Sequence, residues 1–140
     1  LAQADLVKLS AEELTFLAGD GDPAAAVARI LQTASVLVVT DGAAPIRWWT
    51  RTNAGTAPTF AVCAVDTTAA GDAFVAGLLW RLADRAVDAG ALGTAFDTPS
   101  LRADLLAHAA AAGALATTRH GAFDAMPARD AVDRLLETAQ

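Results

Sequence analysis

Apolar and polar positions alternate along this 140-residue chain in two patterns, short apolar runs that read as buried strands and longer stretches with helical character. Asp5-Leu6-Val7-Lys8-Leu9 is short and apolar, which predicts a strand ending at Ser10. Ser10-Ala11-Glu12-Glu13 then has the form of a capping box, with Glu13 three residues after the cap, and predicts a helix to about Leu17. Gly19 to Asp22 breaks that helix, and Pro23 suits the first turn of another that ends near Thr33. Ser35 to Thr40 is a β-branched run of the kind buried on both faces of a parallel sheet, closing at Asp41-Gly42. From Ile46 to Cys63 apolar and polar residues mix around Asn53–Gly55 and Pro58, which predicts two short strands joined by an exposed turn. Beyond them the pattern predicts a long helix over Ala70–Ala89, a loop over Gly90–Pro99, a helix from Leu101 to about Thr118, and a last helix opened by Pro127. Strands alternating with helices imply an α/β layer structure with helices on both faces of the sheet.

Composition adjusts this picture. The apolar fraction of 54% overstates the core, because 37 of the residues are alanine, which favours helix and buries little area. The net charge of −6 is spread through the chain rather than gathered in blocks, which argues against nucleic acid or an anionic membrane as a partner. No apolar run is long enough to span a bilayer, and no basic-then-apolar leader precedes the first strand. Cys63 is the only cysteine, so an intrachain disulfide is impossible and a cytoplasmic setting is favoured. The two histidines and one cysteine have unrelated spacings and make no transition-metal site. There is no G-x-x-x-x-G-K-[ST] loop, no G-x-G-x-x-G and no G-x-S-x-G elbow, which disfavours a P-loop ATPase, a dinucleotide-binding domain and a serine hydrolase.

The densest chemical signal is Asp66-Thr67-Thr68-Ala69-Ala70-Gly71-Asp72-Ala73-Phe74, where small residues and a carboxylate open an apolar helix. Small residues let the backbone approach an anion, and the unpaired N–H groups of a first helical turn point at it with the positive end of the dipole. Taken alone, Asp72 would be an acidic first-turn residue that favours the helix dipole. The whole string resembles the signature of the PfkB (ribokinase-like) family of sugar kinases, D-T-x-G-A-G-D followed by an apolar helix. Residues 5 to 137 align in order with the C-terminal half of such a kinase, so the chain is expected to be its ATP-binding portion, without the N-terminal sugar-binding half and its small β-sheet lid. The resemblance implies a three-layer ribokinase-like fold with a mostly parallel sheet, and ATP-dependent phosphorylation of a small sugar. It also implies Mg²⁺ and K⁺ as ions, and a homodimer formed through the lid. Ala69 replaces the first glycine of the signature, as it does in ribokinases, a change that is tolerated provided the backbone there does not need a positive φ.

By this resemblance Asp72 is the general base for the sugar hydroxyl, and the N–H groups of Ala70, Gly71 and Asp72 form the anion hole, with Ala69 and Gly71 also facing the nucleotide. Leu78, Leu79, Trp80 and Leu82 behind them read as core. Ser10 and Glu13 stand where the family has N-x-x-E, which implies a water-mediated Mg²⁺ role for Glu13 and a phosphate role for Ser10, although a helix cap explains both without metal. Thr40 and Gly42 match a T-x-G that contacts the nucleotide phosphates, at the strand end where open α/β sheets bind ligands. Ala114-Leu115-Ala116-Thr117-Thr118-Arg119-His120-Gly121-Ala122, closing with Ala125-Met126-Pro127, resembles the fructokinase subgroup and places Ala114 and Thr117 beside the nucleotide. Alone it reads as a helix end with a glycine terminator. Members activated by a monovalent cation use oxygens that would correspond to Asp66, Thr68, Ala116, Arg119, Gly121 and Ala125. The family's helix asparagine falls on Ala110, so that adenine contact is lost. Neither His108 nor His120 carries a role, and Trp48 and Trp49 read as packing residues. Two other readings stay open: a non-catalytic nucleotide-binding fragment or degenerate relative, and a ribokinase- or adenosine-kinase-type member with another substrate.

Overall fold

The computed structural model describes residues 3–138. Its strands are β1 (Leu6–Ser10), β2 (Val36–Asp41), β3 (Ala44–Thr50) and β4 (Ala54–Ala57). Its helices are α1 (Ala11–Ala18), α2 (Pro23–Ile30), α3 (Ala70–Asp84), α4 (Leu92–Asp97), α5 (Pro99–Ala116) and α6 (Arg129–Thr138), with a single 3-10 turn at Ala89–Ala91. The chain divides into two compact units, one made of the chain up to Ala57 with Val87–Arg102, the other of Pro58–Ala86 with Ala103 onward.

The first unit is the expected α/β layer structure. Its sheet runs β1-β2-β3-β4, with β1 and β2 parallel and the other two pairings antiparallel, so among the described residues the sheet is mixed where a mostly parallel one was expected. The β-branched run of β2 is buried on both faces, Val36 to Val39 having no exposed surface. Val7, Leu9, Leu37 and Val39 meet Leu14 of α1 and Ala26, Val27 and Ile30 of α2 in one core cluster. On the opposite face Asp97, at the end of α4, gathers the β3–β4 turn: it accepts hydrogen bonds from Thr50 Oγ1 (2.7 Å), Thr52 Oγ1 (2.7 Å) and Asn53 Nδ2 (2.8 Å). The Arg102 guanidinium lies 4.1 Å from the centre of the buried Trp48 ring and donates to the Phe96 carbonyl. Gly55 opposite makes room for that ring, since a Cβ there would come within 2.8 Å of Trp48 Cζ2.

Two expectations are corrected by this unit and its borders. The stretch expected as a loop between Gly90 and Pro99 contains α4, whose Leu92, Ala95 and Phe96 are buried at helical spacing; Asp88 starts the preceding turn by accepting from the Ala91 N–H at 2.9 Å. The helix expected to run to Ala89 stops at Asp84, because Ala86 turns left-handed with φ 53° just past its end.

The second unit is helical. Gly77 of α3 lies against α5 so closely that a Cβ would stand 2.8 Å from the Ala112 Cβ, and the α5 run Ala109–Ala112 is buried. Val132 of α6 packs with Ala111 and Ala112, flanked by Phe60, Leu115, Leu135 and Leu136. Arg81 and Asp104 join α3 to α5 in a two-pronged pair (Nε to Oδ2 2.9 Å, Nη2 to Oδ1 2.6 Å), and Arg85 adds a third contact at 2.8 Å. Burial acts to raise the Asp104 carboxyl, but the hydrogen bonds from both guanidiniums outweigh it and hold it below the ordinary range. Trp80 stacks on the buried His108 with ring centres 4.8 Å apart, and Arg129 covers the indole at 4.5 Å. Leu79, expected in the core, is exposed on the outer side of α3. The segment from Pro58 to Ala69 has no helix or strand and carries the exposed Cys63. Among the described residues no helix is long and apolar enough to cross a membrane.

Candidate active site

The Asp66–Asp72 motif is built as a pinned loop that feeds a helix. The Thr117 carbonyl, past the end of α5, accepts the N–H groups of Val65 (2.7 Å) and Asp66 (3.1 Å). The Asp66 carboxylate then closes the loop from the other side, Oδ1 accepting the Thr68 N–H at 2.9 Å and Oδ2 the Gly121 N–H at 3.0 Å. Hydrogen bonds from Thr68 and Gly121 lower its pKa to about 2, so it stays ionised through the neutral range. The motif and the Thr117–Gly121 segment are thus brought together, as a shared site requires. Asp66 does so through its side chain, a contact the sequence reading missed. Its signal was an Asp two residues before Thr68, the spacing of an Asx turn.

From this loop the chain enters α3 through Ala69, whose φ of 60° and ψ of 10° are left-handed. The condition under which alanine was expected to replace glycine freely is therefore not met. The position is one that favours glycine, and its Cβ carries a penalty of about 1–2 kcal/mol. Ala69 also provides no side-chain cap. The Ala70 N–H donates to the Thr67 carbonyl at 3.2 Å, and the Ala73 N–H to Ala69 at 2.9 Å. Between them the N–H groups of Gly71 and Asp72 have no acceptor among the described residues, and Asp72 is exposed. The first turn of α3 approaches α5 at Gly113, where a Cβ would stand 3.2 Å from the Ala70 carbonyl oxygen and 3.3 Å from the Phe74 Cβ. Ala114 follows at the same helix end, and the buried Ala110 packs one turn earlier. Ala116 and Ala125 are buried as well, whereas His120 is exposed, its Nδ1 3.9 Å from Asp66 Oδ2.

In the first unit, parallel pairing sets Ser10 directly beside Thr40 at the carboxyl ends of β1 and β2. A register irregularity between Val39 and Asp41 releases Thr40 from the β2–β3 ladder, and Gly42, at φ 52°, opens the two-residue hairpin turn that follows. Glu13 and Ser10 form the full capping box: Ser10 N–H donates to Glu13 Oε2 at 2.6 Å and Glu13 N–H to Ser10 Oγ at 3.1 Å. The Ser10 backbone contact holds the exposed Glu13 carboxyl below its ordinary pKa. Its other oxygen, Oε1, is left without a protein donor among the described residues. No group of three or more His, Cys, Asp or Glu side chains that could hold a metal occurs among the described residues.

Comparison with known proteins identifies the family. The family model for pfkB family carbohydrate kinases matches residues 1–129. A fructokinase of Klebsiella pneumoniae is 42% identical over 138 residues, which are 97% of this chain and 42% of that protein. The structure of a fructokinase with bound ATP from Xylella fastidiosa superimposes with a TM-score of 0.91 at 46% identity, over 96% of this chain and 43% of the other. A Vibrio cholerae fructokinase in its fructose, ADP and calcium ion bound form gives a TM-score of 0.75 at 36% identity, covering 94% and 41%. The chain spans about two fifths of the length of these relatives. With the family model matching nearly its whole length, the chain belongs to the pfkB family of carbohydrate kinases.

Proposed function

We propose that this chain is the nucleotide-binding part of a fructokinase-like enzyme that moves the γ-phosphoryl group of ATP to a hydroxyl of a small sugar. The observation that carries the reading is the start of α3, where two unpaired N–H groups, on Gly71 and Asp72, accompany an exposed carboxylate on Asp72. Asp72 takes the proton of the sugar hydroxyl as its oxygen bonds to the γ-phosphorus and the bond to the β–γ bridging oxygen breaks. The Gly71 and Asp72 N–H groups stabilise charge on the transferring phosphoryl oxygens. Ala70 joins them only by giving up its 3.2 Å bond to Thr67, so it is the weakest of the three donors. Ala69 shapes the entry to this turn. Ala114 and Thr117 line the nucleotide side, and Thr117 also holds the motif loop through its carbonyl.

In the other unit Ser10, Thr40 and Gly42 supply polar groups and exposed backbone for nucleotide phosphates at the strand ends. Glu13 Oε1 suits a largely hydrated Mg²⁺, which binds through few protein oxygens and when present neutralises phosphate charge. A K⁺ ion would draw on oxygens of Asp66, Thr68, Ala116, Arg119, Gly121 and Ala125, of which Asp66 and Gly121 are already joined by a hydrogen bond. The setting assigned to the enzyme is cytoplasmic, with sugar and ATP as small-molecule partners.

The test is ADP release by the protein at full length, with ATP, Mg²⁺ and a panel of fructose, ribose, 2-keto-3-deoxygluconate and adenosine. Fructose-dependent release, lowered about 10²–10⁴-fold by Asp72→Asn with ATP affinity retained, is the expected result. Full turnover in that variant would defeat the mechanism.

A further inference from the structure

The face of β3 that looks toward α2 carries a pattern unrelated to phosphoryl transfer. Arg47 and Trp49 alternate along β3 and Arg51 follows just past its end, and all three line an open groove of about 600 Å³ between the sheet and α2. Leu14, Val27 and Leu31 supply its apolar wall. Arg51 is fixed in place, its Nε donating to the Leu31 carbonyl at 3.1 Å and its Nη2 to the Thr33 carbonyl at 3.2 Å. The Arg47 guanidinium lies 5.8 Å from the centre of the Trp49 ring. Neither arginine has a carboxylate partner among the described residues, and no Asp or Glu lines the groove. In a chain of net charge −6 this is a local concentration of unpaired positive charge beside a half-buried indole.

We propose that this groove binds a small amphiphilic organic anion: a flat apolar body with one carboxylate, sulfonate or phosphate head. Its volume lies within the range of small-molecule sites, roughly 300–1,000 Å³. The apolar wall and the Trp49 face take the body. The guanidiniums take the head, since their planar donor forks match such oxyanions two bonds at a time. Charge complementarity selects the occupant, because an uncharged ligand of the same shape leaves both positive charges without a counter-charge and a cation is repelled. The proposal stands apart from the kinase reading, since none of these residues has a role in it.

The test uses two probes on the full chain, 8-anilinonaphthalene-1-sulfonate and its uncharged counterpart N-phenyl-1-naphthylamine, followed by probe emission and by energy transfer from tryptophan. The expected result is one saturable site for the sulfonate, at least tenfold weaker binding of the neutral body, and at least a tenfold loss of sulfonate affinity in Arg47→Glu. Arg47→Gln, which removes the charge without reversing it and leaves a shorter polar side chain, should give an intermediate loss. Circular dichroism reports that each variant is folded, and amide and indole N–H shifts centred on Trp49 place the probe. Equal affinity for both probes, unchanged binding in both folded variants, or shifts scattered away from Trp49 would each overturn the proposal.

Discussion

Ala69→Gly should separate from an ordinary alanine-to-glycine change by a measurable amount, because Ala69 holds φ 60° at the entrance to α3. An L-residue in the left-handed region is penalised by about 1–2 kcal/mol, a penalty glycine does not carry. Against this, glycine widens the unfolded ensemble and costs about 0.4–1 kcal/mol wherever it is introduced. A reference variant removes that common term. Ala76 is exposed in the interior of α3, where Ala76→Gly should cost about 1 kcal/mol from lost helix propensity and unfolded-state entropy together. Ala69→Gly should therefore range from neutral to about 1.6 kcal/mol stabilising. The two variants should differ by about 1–2.6 kcal/mol, or roughly 3–9 °C in melting temperature for a chain of this size. Guanidinium unfolding followed by circular dichroism and tryptophan fluorescence reads the difference, and Ala86→Gly, at φ 53°, should behave like Ala69→Gly. If Ala69→Gly proved as damaging as Ala76→Gly, the left-handed backbone at the motif would be refuted, and with it the account of how the loop turns into the helix.

Two further outcomes follow from the helical unit. Gly77→Val places a branched side chain where even a Cβ stands 2.8 Å from Ala112, and should destabilise by about 1–3 kcal/mol in the same denaturation assay. His108 is buried with Nδ1 unpartnered among the described residues; burial, and then the Arg81 charge, push its pKa down against weaker opposition from Asp133, Asp104 and Asp84. The unfolded chain then takes up a proton near pH 6.5 that the folded chain refuses, so stability is full above that pH and declines as pH falls toward the lower folded value. Denaturation midpoints between pH 7.5 and 5 should fall for the parent and fall less for His108→Gln; parallel slopes would refute the assignment.

Much of the fold was legible because local signals agreed with tertiary ones. The capping box at Ser10 and Glu13, the β-branched run of β2 and Pro23 at the start of α2 each fixed an element within a few residues. The failures had physical causes. α4 was hidden by Gly90, Gly93 and Pro99, although Leu92, Ala95 and Phe96 have the i, i+3, i+4 spacing of a buried helix face. The end of α3 was overrun because alanine favours continuation, while the break depends on a left-handed alanine that composition does not announce. At the candidate site the motif located the helix start and its neighbours. The bond from Asp66 to Gly121 and the Thr117 carbonyl as a double acceptor were not legible, because they depend on how a loop closes on residues some fifty positions away; the bond from the Ala70 N–H to Thr67, three residues back, accompanies the left-handed turn at Ala69.

The irregular segment between β4 and α3 also makes the chain convenient to watch. Its exposed Cys63 is the chain's single thiol, so a maleimide fluorophore or nitroxide attaches at one known place without competing sites or a disulfide to protect. The label would sit three residues before Asp66, whose carboxylate anchors the loop to Gly121. A change in its mobility on adding nucleotide would report the tightening or release of that anchor in real time, turning an irregular stretch into a built-in optical gauge of the motif.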